Sequence, residues 1–500
     1  MLELNGNINF YFSIYVALLI EKMKYQLISV NNMYLRSNSL LGLLKKRVGL
    51  SWLQIRKITK QEALLPEMDL KVKDDIESER IKPRKHPGVL KQPTCSLPED
   101  IVKTVKILTE DHTIKHLLDD AKVLTNYLYS RHYPWEEEDL RERVASFKEN
   151  VKSRMPPLPD DFTDDQAHHY NNLVKASVAN LMSKYNYRWS PLDLQEYSSM
   201  VYLMARSAPN YAAVMRVFRE IAMLHPDYKP VNLFDFGAGI GSVSWAAKAY
   251  WGDSLKEFVN IDSSNSMNEL SSLIIRGGNP EIEVPLNVYY RSFLPSQHRK
   301  YSIVVSAHSL LELPSRDARL NTLLNLWHKT QDFLVIVEQG TKPGFKVIVE
   351  ARDFILSLAN EKTPAHVVAP CPHEEGCPRY LRGPYPCHYQ VKYFDLQVGK
   401  KEEIKKELLS YVIIKKGERQ PGPESEWPRV VRPVLQRHNH VICRLCTPHG
   451  DLREIIFTKS KHGKVLYKCA KVTSWGDRLP VKLSPVDTET ETQESGDDET

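Results

Sequence analysis

Cysteine is scarce in this chain: seven in 500 residues, too few for a disulfide scaffold. The apolar run at residues 8–20 (INFYFSIYVALLI) has thirteen residues, short of the ~20 that span a bilayer, so no membrane partner is expected. No acid occurs from Met33 to Gln61, no cysteine lies between Cys95 and Cys371, and no internal repeat is visible. Apolar residues make up 42% and charged residues 26%. That composition excludes a largely disordered, collagenous or coiled-coil protein, and the length implies two or three folded units. Residues 1–61 hold nine Lys/Arg against Glu3 and Glu21, while residues 484–500 hold seven acids and no base. The ends cancel, so the net charge of +6 belongs to a mildly basic body, which is compatible with nucleic acid.

In the acid-free stretch Leu40, Leu41, Leu44 and Val48 share one helical face, with Lys45 and Lys46 beside it. A basic, acid-free amphipathic helix is the pattern of a mitochondrial presequence, although a basic surface helix would share it. Residues 1–61 are therefore expected to address the chain to the mitochondrial matrix. Residues 62–98 are polar and Pro-rich and read as a linker or arm. Residues 99–225 carry helical periodicity. From 226 to 360 short β-branched runs (VNLFDF, EFVNID, YSIVVSA, DFLVIVE) alternate with helical stretches, the mark of a parallel sheet with crossover helices. Residues 361–480 are rich in Pro, Cys, His and aromatics, with short strand patterns (YVIIKK, REIIFTK, KVLYKCAKV); Lys461-His462-Gly463 reads as a hairpin turn. Residues 481–500 form an acidic tail expected to be disordered.

Leu233–Phe236 reads as a buried strand running into Gly237-Ala238-Gly239-Ile240-Gly241 and then a helix. The motif Asp235-x-Gly237-x-Gly239-x-Gly241 is not the dinucleotide GxGxxG but has the spacing of S-adenosylmethionine (SAM) loops. A second strand ends at Asp262, placed to accept ribose hydroxyls. A tight strand–helix turn that binds nothing would share the glycines. Asp235, Gly237, Gly239, Gly241 and Asp262 are thus the candidate SAM-binding residues. The fold expected is α/β, a class I SAM-dependent methyltransferase-like, Rossmann-like sheet with a helical amino-terminal region. A small Cys-rich, β-containing carboxyl-terminal domain completes it.

The groups of two nucleobase chemistries are missing. After the fourth strand, Ser306-Ala307-His308-Ser309 has no proline pair to orient an exocyclic amine, and no cysteine nucleophile falls in this region. His308, Glu312 and Glu338 are the remaining catalytic candidates; a hydrogen-bonded histidine and a loop-capping acid fit the same positions.

Cys371-x5-Cys377-x9-Cys387 sits in a Pro-rich loop, and Cys443-x2-Cys446 follows. Clustered thiols in a reducing compartment argue for metal. On spacing alone a four-thiolate [4Fe–4S] cluster and a zinc site using His373, His388 or His449 stand level. Cys95 and Cys469 read as structural. Around this set lie Arg429, Arg432, Arg437, His438 and His440, then Lys459, Lys461, Lys464, Lys468 and Lys471 with Tyr467 and Trp475. Read as a strand, Lys464, Leu466 and Lys468 share one face. Such a row suits a phosphate backbone with stacked bases, or equally a hairpin whose lysines guard an edge.

Taken together, Arg206-x2-Pro209-x-Tyr211-Ala212-Ala213, FDFGAGIGS, HSLLELP, VEQGTKPGF, CPHEEGCP and CRLC…KHGKVLYKCAKVTSWGD resemble the Rsm22-like family over residues 95–480. The resemblance implies a mitochondrial small-ribosomal-subunit assembly factor that binds rRNA and supports mitochondrial translation. It implies a SAM-binding methyltransferase fold of weak or absent turnover; an active rRNA methyltransferase is the alternative. It also implies a [4Fe–4S] cluster rather than zinc, on Cys371, Cys377, Cys387 and Cys446, with Cys443 competing for the fourth place. That cluster is expected to staple the loop to the basic carboxyl segment. Partners would be rRNA and ribosomal proteins of the small subunit, the chain being monomeric away from it.

Overall fold

The computed structural model describes residues 64–485 except 91, 158–160, 186–188, 286, 297–298, 382, 384 and 400. The expected presequence and acidic tail lie outside these residues. The chain divides into two compact units, residues 1–65 with 484–500, and Pro66–Leu483. The larger unit holds the central sheet and the helices around it. No helix among the described residues is long and apolar enough to cross a membrane.

Residues 99–225 form helices α1 (Glu99–Leu108), α2 (Ile114–Ser130), α3 (Glu137–Arg154), α4 (Asp164–Tyr185) and α5 (Glu196–Leu224). Next come β1 (Asn232–Phe236), α6 (Ser242–Trp251), β2 (Glu257–Ile261), α7 (Asn265–Ile275), β3 (Val288–Arg291) and β4 (Tyr301–Ala307). Then follow α8 (Arg316–Lys329), β5 (Thr330–Gln339), α9 (Lys342–Leu358), β6 (Ala365–Ala369), β7 (Tyr389–Phe394) and β8 (Ile404–Lys416). The sheet order is β3-β2-β1-β4-β5-β8-β6, with β7 also on β8. β1 to β5 are parallel, whereas β8 runs antiparallel to β5, β6 and β7. The 3-2-1-4-5 run is doubly wound; the antiparallel strand beyond it gives the mixed, methyltransferase-like α/β sheet expected.

Both faces of this sheet are covered, which is why its strands read as continuous apolar runs. Along β5, Phe333, Val335 and Val337 pack toward α5 and α6, while Leu334 and Ile336 pack toward α8 and α9. All five are fully buried; each contributes about 1.5–3 kcal/mol. The boundary expected at 360–361 falls inside the sheet, because β6 and β8 belong to it. β6 and β7 pair end to end with the long β8, and the loop between them carries Cys371, Cys377 and Cys387. The arm is tied down as well: Cys95 bridges to Tyr393, and the Leu90 amide donates to Asp477 Oδ1 at 2.8 Å.

The carboxyl segment forms a small antiparallel sheet of β9 (Arg429–Val430), β10 (Leu435–Gln436), β11 (His440–Cys446) and β12 (Leu452–Thr458), followed by α10 (Lys459–Val472). Here the sequence reading is corrected. Lys461-His462-Gly463 is no hairpin turn, and KVLYKCAKV, with Cys469, is helical; Gly463 (φ 76°, ψ 165°) only kinks α10. Leu466, Tyr467, Cys469 and Ala470 are buried, the helical spacing rather than alternation. The Thr458 side chain caps the helix by accepting from the Lys461 amide at 3.2 Å.

Arg429 is a second correction. It does not join the basic surface, for it is 1% exposed. Its guanidinium donates to both oxygens of Glu220 on α5, at 3.1 and 2.7 Å. Arg216 (2.8 Å) and Arg478 (3.3 Å) join the same carboxylate, and Tyr411 of β8 donates its hydroxyl to it. Burial works against the Glu220 charge, but Arg429, Arg216 and Arg478 hold its carboxyl well below the ordinary range. The carboxyl segment is therefore anchored to the central helix by a buried charge cluster, and not by the cysteines alone.

Candidate functional site

The loop after β1 has three left-handed glycines, Gly237 (φ 71°), Gly239 (φ 53°) and Gly241 (φ 90°). Their missing side chains serve different ends. A Cβ on Gly237 would stand 2.1 Å from Ser309 Oγ, and one on Gly241 2.9 Å from Ser271 Oγ; on Gly239 it would meet only the Met267 methyl, at 3.3 Å. Gly237 and Gly241 let the loop pack on the protein, whereas Gly239 leaves room for a ligand. Asp262, at the end of β2, accepts from the amides of Gly239 (2.8 Å) and Ser264 (2.9 Å). Burial raises its pKa against those two bonds. Asp235 is fully buried beneath the loop, and neither carboxylate oxygen has a hydrogen-bond partner. Burial, then the nearby Asp262, push its carboxyl well above the usual range, so it is an uncharged acid supporting the loop from below.

Gly237, Gly239 and Asp262 border a cavity of about 370 Å³, a ligand-sized volume; Asp235 and Gly241 stand behind it. Its other walls include Arg131 from the end of α2, Tyr202 and Arg206 from α5, and His308, Glu312 and Glu338. Among the described residues no cysteine borders it. Arg131 clamps Glu312 through both terminal guanidinium nitrogens, and Glu312 also accepts from the Leu192 amide at 3.2 Å. That acid is committed to structure. Glu338 accepts from the amides of Leu310 (3.0 Å) and Leu311 (3.3 Å), and burial pushes its carboxyl up to about 8. His308 holds a left-handed backbone (φ 60°), and neither ring nitrogen has a partner. Burial, with Arg206 nearby, lowers it to about 3, so its ring is neutral. The sequence reading passed over Arg131 and Tyr202, because a helix far upstream carries no sign of which cavity it walls.

All seven cysteines are free thiols. Cys371, Cys377 and Cys387 stand close enough to Cys446 that, after burial, their charges raise its pKa further. Burial likewise pushes Cys377 up to about 11 and Cys387 up to about 12. Cys443 is different. Burial alone pushes it up to about 12, with no thiol beside it. The reason is strand parity: on β11, Val441, Cys443 and Leu445 face the small sheet's interior, and Cys446, three residues on from Cys443, faces the other way. Of the three candidate zinc histidines, only His373 reaches the thiols, its Nε2 lying 3.3 Å from Cys446 Sγ. His388 is bonded to the Gly340 carbonyl and His449 to that of Leu483. Behind the loop, buried Arg352 of α9 donates to the carbonyls of His373 (3.0 Å) and Glu375 (2.7 Å). Among the described residues no three His, Cys, Asp or Glu side chains are grouped to hold a single metal ion.

The family model for mitochondrial small ribosomal subunit Rsm22 matches residues 196–480. The chain belongs to the Rsm22 family. The match runs from α5 through the sheet, the cysteine loop and α10. The human ribosome assembly protein METTL17, mitochondrial, is 38% identical over 410 residues, across 80% of this chain and 86% of the human protein. The Saccharomyces cerevisiae ribosome assembly protein RSM22, mitochondrial, is 22% identical over 287 residues, across 37% of this chain and 45% of its own length. Among solved structures, the plantazolicin methyltransferase BpumL with SAH is 12% identical, covering 42% of this chain and 84% of that one, with a TM-score of 0.27. A likeness of that size carries no weight, and for this Rsm22-family chain the fold rests on its strand order.

Proposed function

We propose that this chain is a mitochondrial assembly protein of the small ribosomal subunit, acting in the matrix and binding rRNA on the maturing particle. The observation that carries the RNA part is α10. Lys464, Lys468 and Lys471 lie at i, i+4 and i+7, exposed on one helical face, with Lys459 and Lys461 exposed before the kink. Because the segment is a helix, these lysines guard no edge strand, and a row of unburied cations on a rigid helix suits a phosphate backbone.

Cys371, Cys377, Cys387 and Cys446 are the residues that would hold a [4Fe–4S] cluster. Four unoxidised thiols from two segments fit that group, whereas a single zinc ion needs a tighter set. The cluster's chemistry here is cross-linking, tying the loop between β6 and β7 to the end of β11. The cavity supports SAM binding across Gly237 and Gly239 with the ribose on Asp262. Glutamate and histidine chemistry keeps the second reading, an active rRNA methyltransferase, in view: Glu338 and the unpartnered His308 stand in the same cavity.

Two outcomes are expected for Gly239→Arg. Calorimetric titration with SAM shows binding abolished, because the arginine occupies the ligand's volume; unchanged affinity moves the site elsewhere. In cells carrying only this variant, the chain still sediments with the small subunit and rRNA keeps its methyl marks. Loss of one specific mark while assembly stays normal establishes the enzyme reading instead.

A further inference from the structure

The cysteine loop carries a second feature, distinct from the thiols. Arg379 and Arg432 lie together: after burial, Arg432 is the strongest influence lowering the Arg379 guanidinium. Neither arginine forms an ion pair with a carboxylate among the described residues, and Arg379 Nε is buried without a hydrogen-bond partner. Two like charges held side by side leave a local demand for an anion. Aromatic surface is added to them. The Arg432 guanidinium stacks over the Tyr385 ring at 5.3 Å, and Tyr385 is 62% exposed. Beside it Tyr380 is 45% and Leu381 75% exposed, large side chains left in water on a loop whose neighbours are otherwise packed.

From this juxtaposition we propose that Arg379, Arg432 and Tyr385 form a binding site for single-stranded RNA, the arginines taking a phosphate and Tyr385 a stacked base. The assignment rests on the rRNA-binding reading above and deepens it. Guanidinium forks match phosphate oxygens and stack on flat rings, and a base on an exposed aromatic is sequence-tolerant and indifferent to its partner strand. A duplex keeps its bases stacked on each other and cannot use Tyr385. A protein partner would want a carboxylate here and would have no use for an exposed ring aligned under a guanidinium.

The test uses the full chain, purified anaerobically, and a fluorescein-labelled oligouridine of about 12 nucleotides, within the length such single-strand sites cover, followed by anisotropy beside a duplex RNA of equal length. Tyr385→Ala is expected to weaken single-strand binding roughly tenfold and leave its salt dependence unchanged. Arg432→Ala weakens it similarly and lowers the slope of log affinity against log salt by about 0.7, the value of one phosphate contact on a single strand. Arg432→Lys keeps that slope while losing affinity. Duplex binding stays within twofold for Tyr385→Ala. Both side chains are partly or wholly exposed, so circular dichroism of the variants should match the parent. Single-strand affinity unchanged in Tyr385→Ala and Arg432→Ala overturns the site and leaves the assembly reading standing. Parent protein that binds no RNA overturns both.

Discussion

Glu220→Gln is expected to destabilise the folded chain by about 3–5 kcal/mol, the range for breaking a buried ion pair by removing one partner. The cost arises because three guanidinia, those of Arg216, Arg429 and Arg478, share this one carboxylate. Glutamine keeps the size but leaves those charges in the interior without compensation. Urea unfolding read by tryptophan fluorescence should show the midpoint falling sharply or the variant failing to fold. A shift below about 1 kcal/mol, the size of an exposed pair, would falsify the claim that this cluster anchors the carboxyl segment. The pH dependence has a definite sign. The Glu220 carboxyl is held below its ordinary value, so its stabilisation is fully present above the unfolded value of about 4.3. It is lost only as pH falls from there through the depressed native value. The parent should therefore lose stability in that acid range more steeply than Glu220→Gln.

Cys446→Ser and Cys443→Ser are expected to differ as sharply. The thiol of Cys446 is grouped with those of Cys371, Cys377 and Cys387, and that of Cys443 faces the interior of the small sheet. Anaerobically purified Cys446→Ser should lack stoichiometric iron and sulfide, while Cys443→Ser retains both. Metal binding of this kind supplies folding free energy of the order of 10 kcal/mol in zinc-peptide analogues. Its loss should not release the whole carboxyl segment, because Arg429 and Arg478 stay bonded to Glu220. Limited proteolysis of Cys446→Ser is expected to cut between Cys371 and Cys387 first, with α10 protected. Iron retained by Cys446→Ser, or lost from Cys443→Ser, would reverse the ligand assignment; stoichiometric zinc without sulfide in the parent would remove the cluster.

Elements whose patterns are local were legible in the amino-acid order. Buried strands read as apolar runs, the glycine spacing separated this loop from a dinucleotide loop, and the family motifs pointed to Rsm22. KVLYKCAKV was not legible, because β-branched and aromatic residues at short spacing satisfy both periods; only the packing of Leu466, Tyr467, Cys469 and Ala470 selects the helix. Cys443 and Cys446 stayed level because a C-x-x-C pair does not state its face until the segment is known to be a strand. Arg429 was misread because a basic residue in a basic stretch looks solvated, and the acid that buries it lies 209 residues away on α5. The two roles of the loop glycines were likewise hidden: Ser309 and Ser271 fill the space of two of them, and only the fold brings those serines there. In each case tertiary structure decided, because burial, charge pairing and the face a side chain presents depend on contacts between segments that local periodicity does not encode.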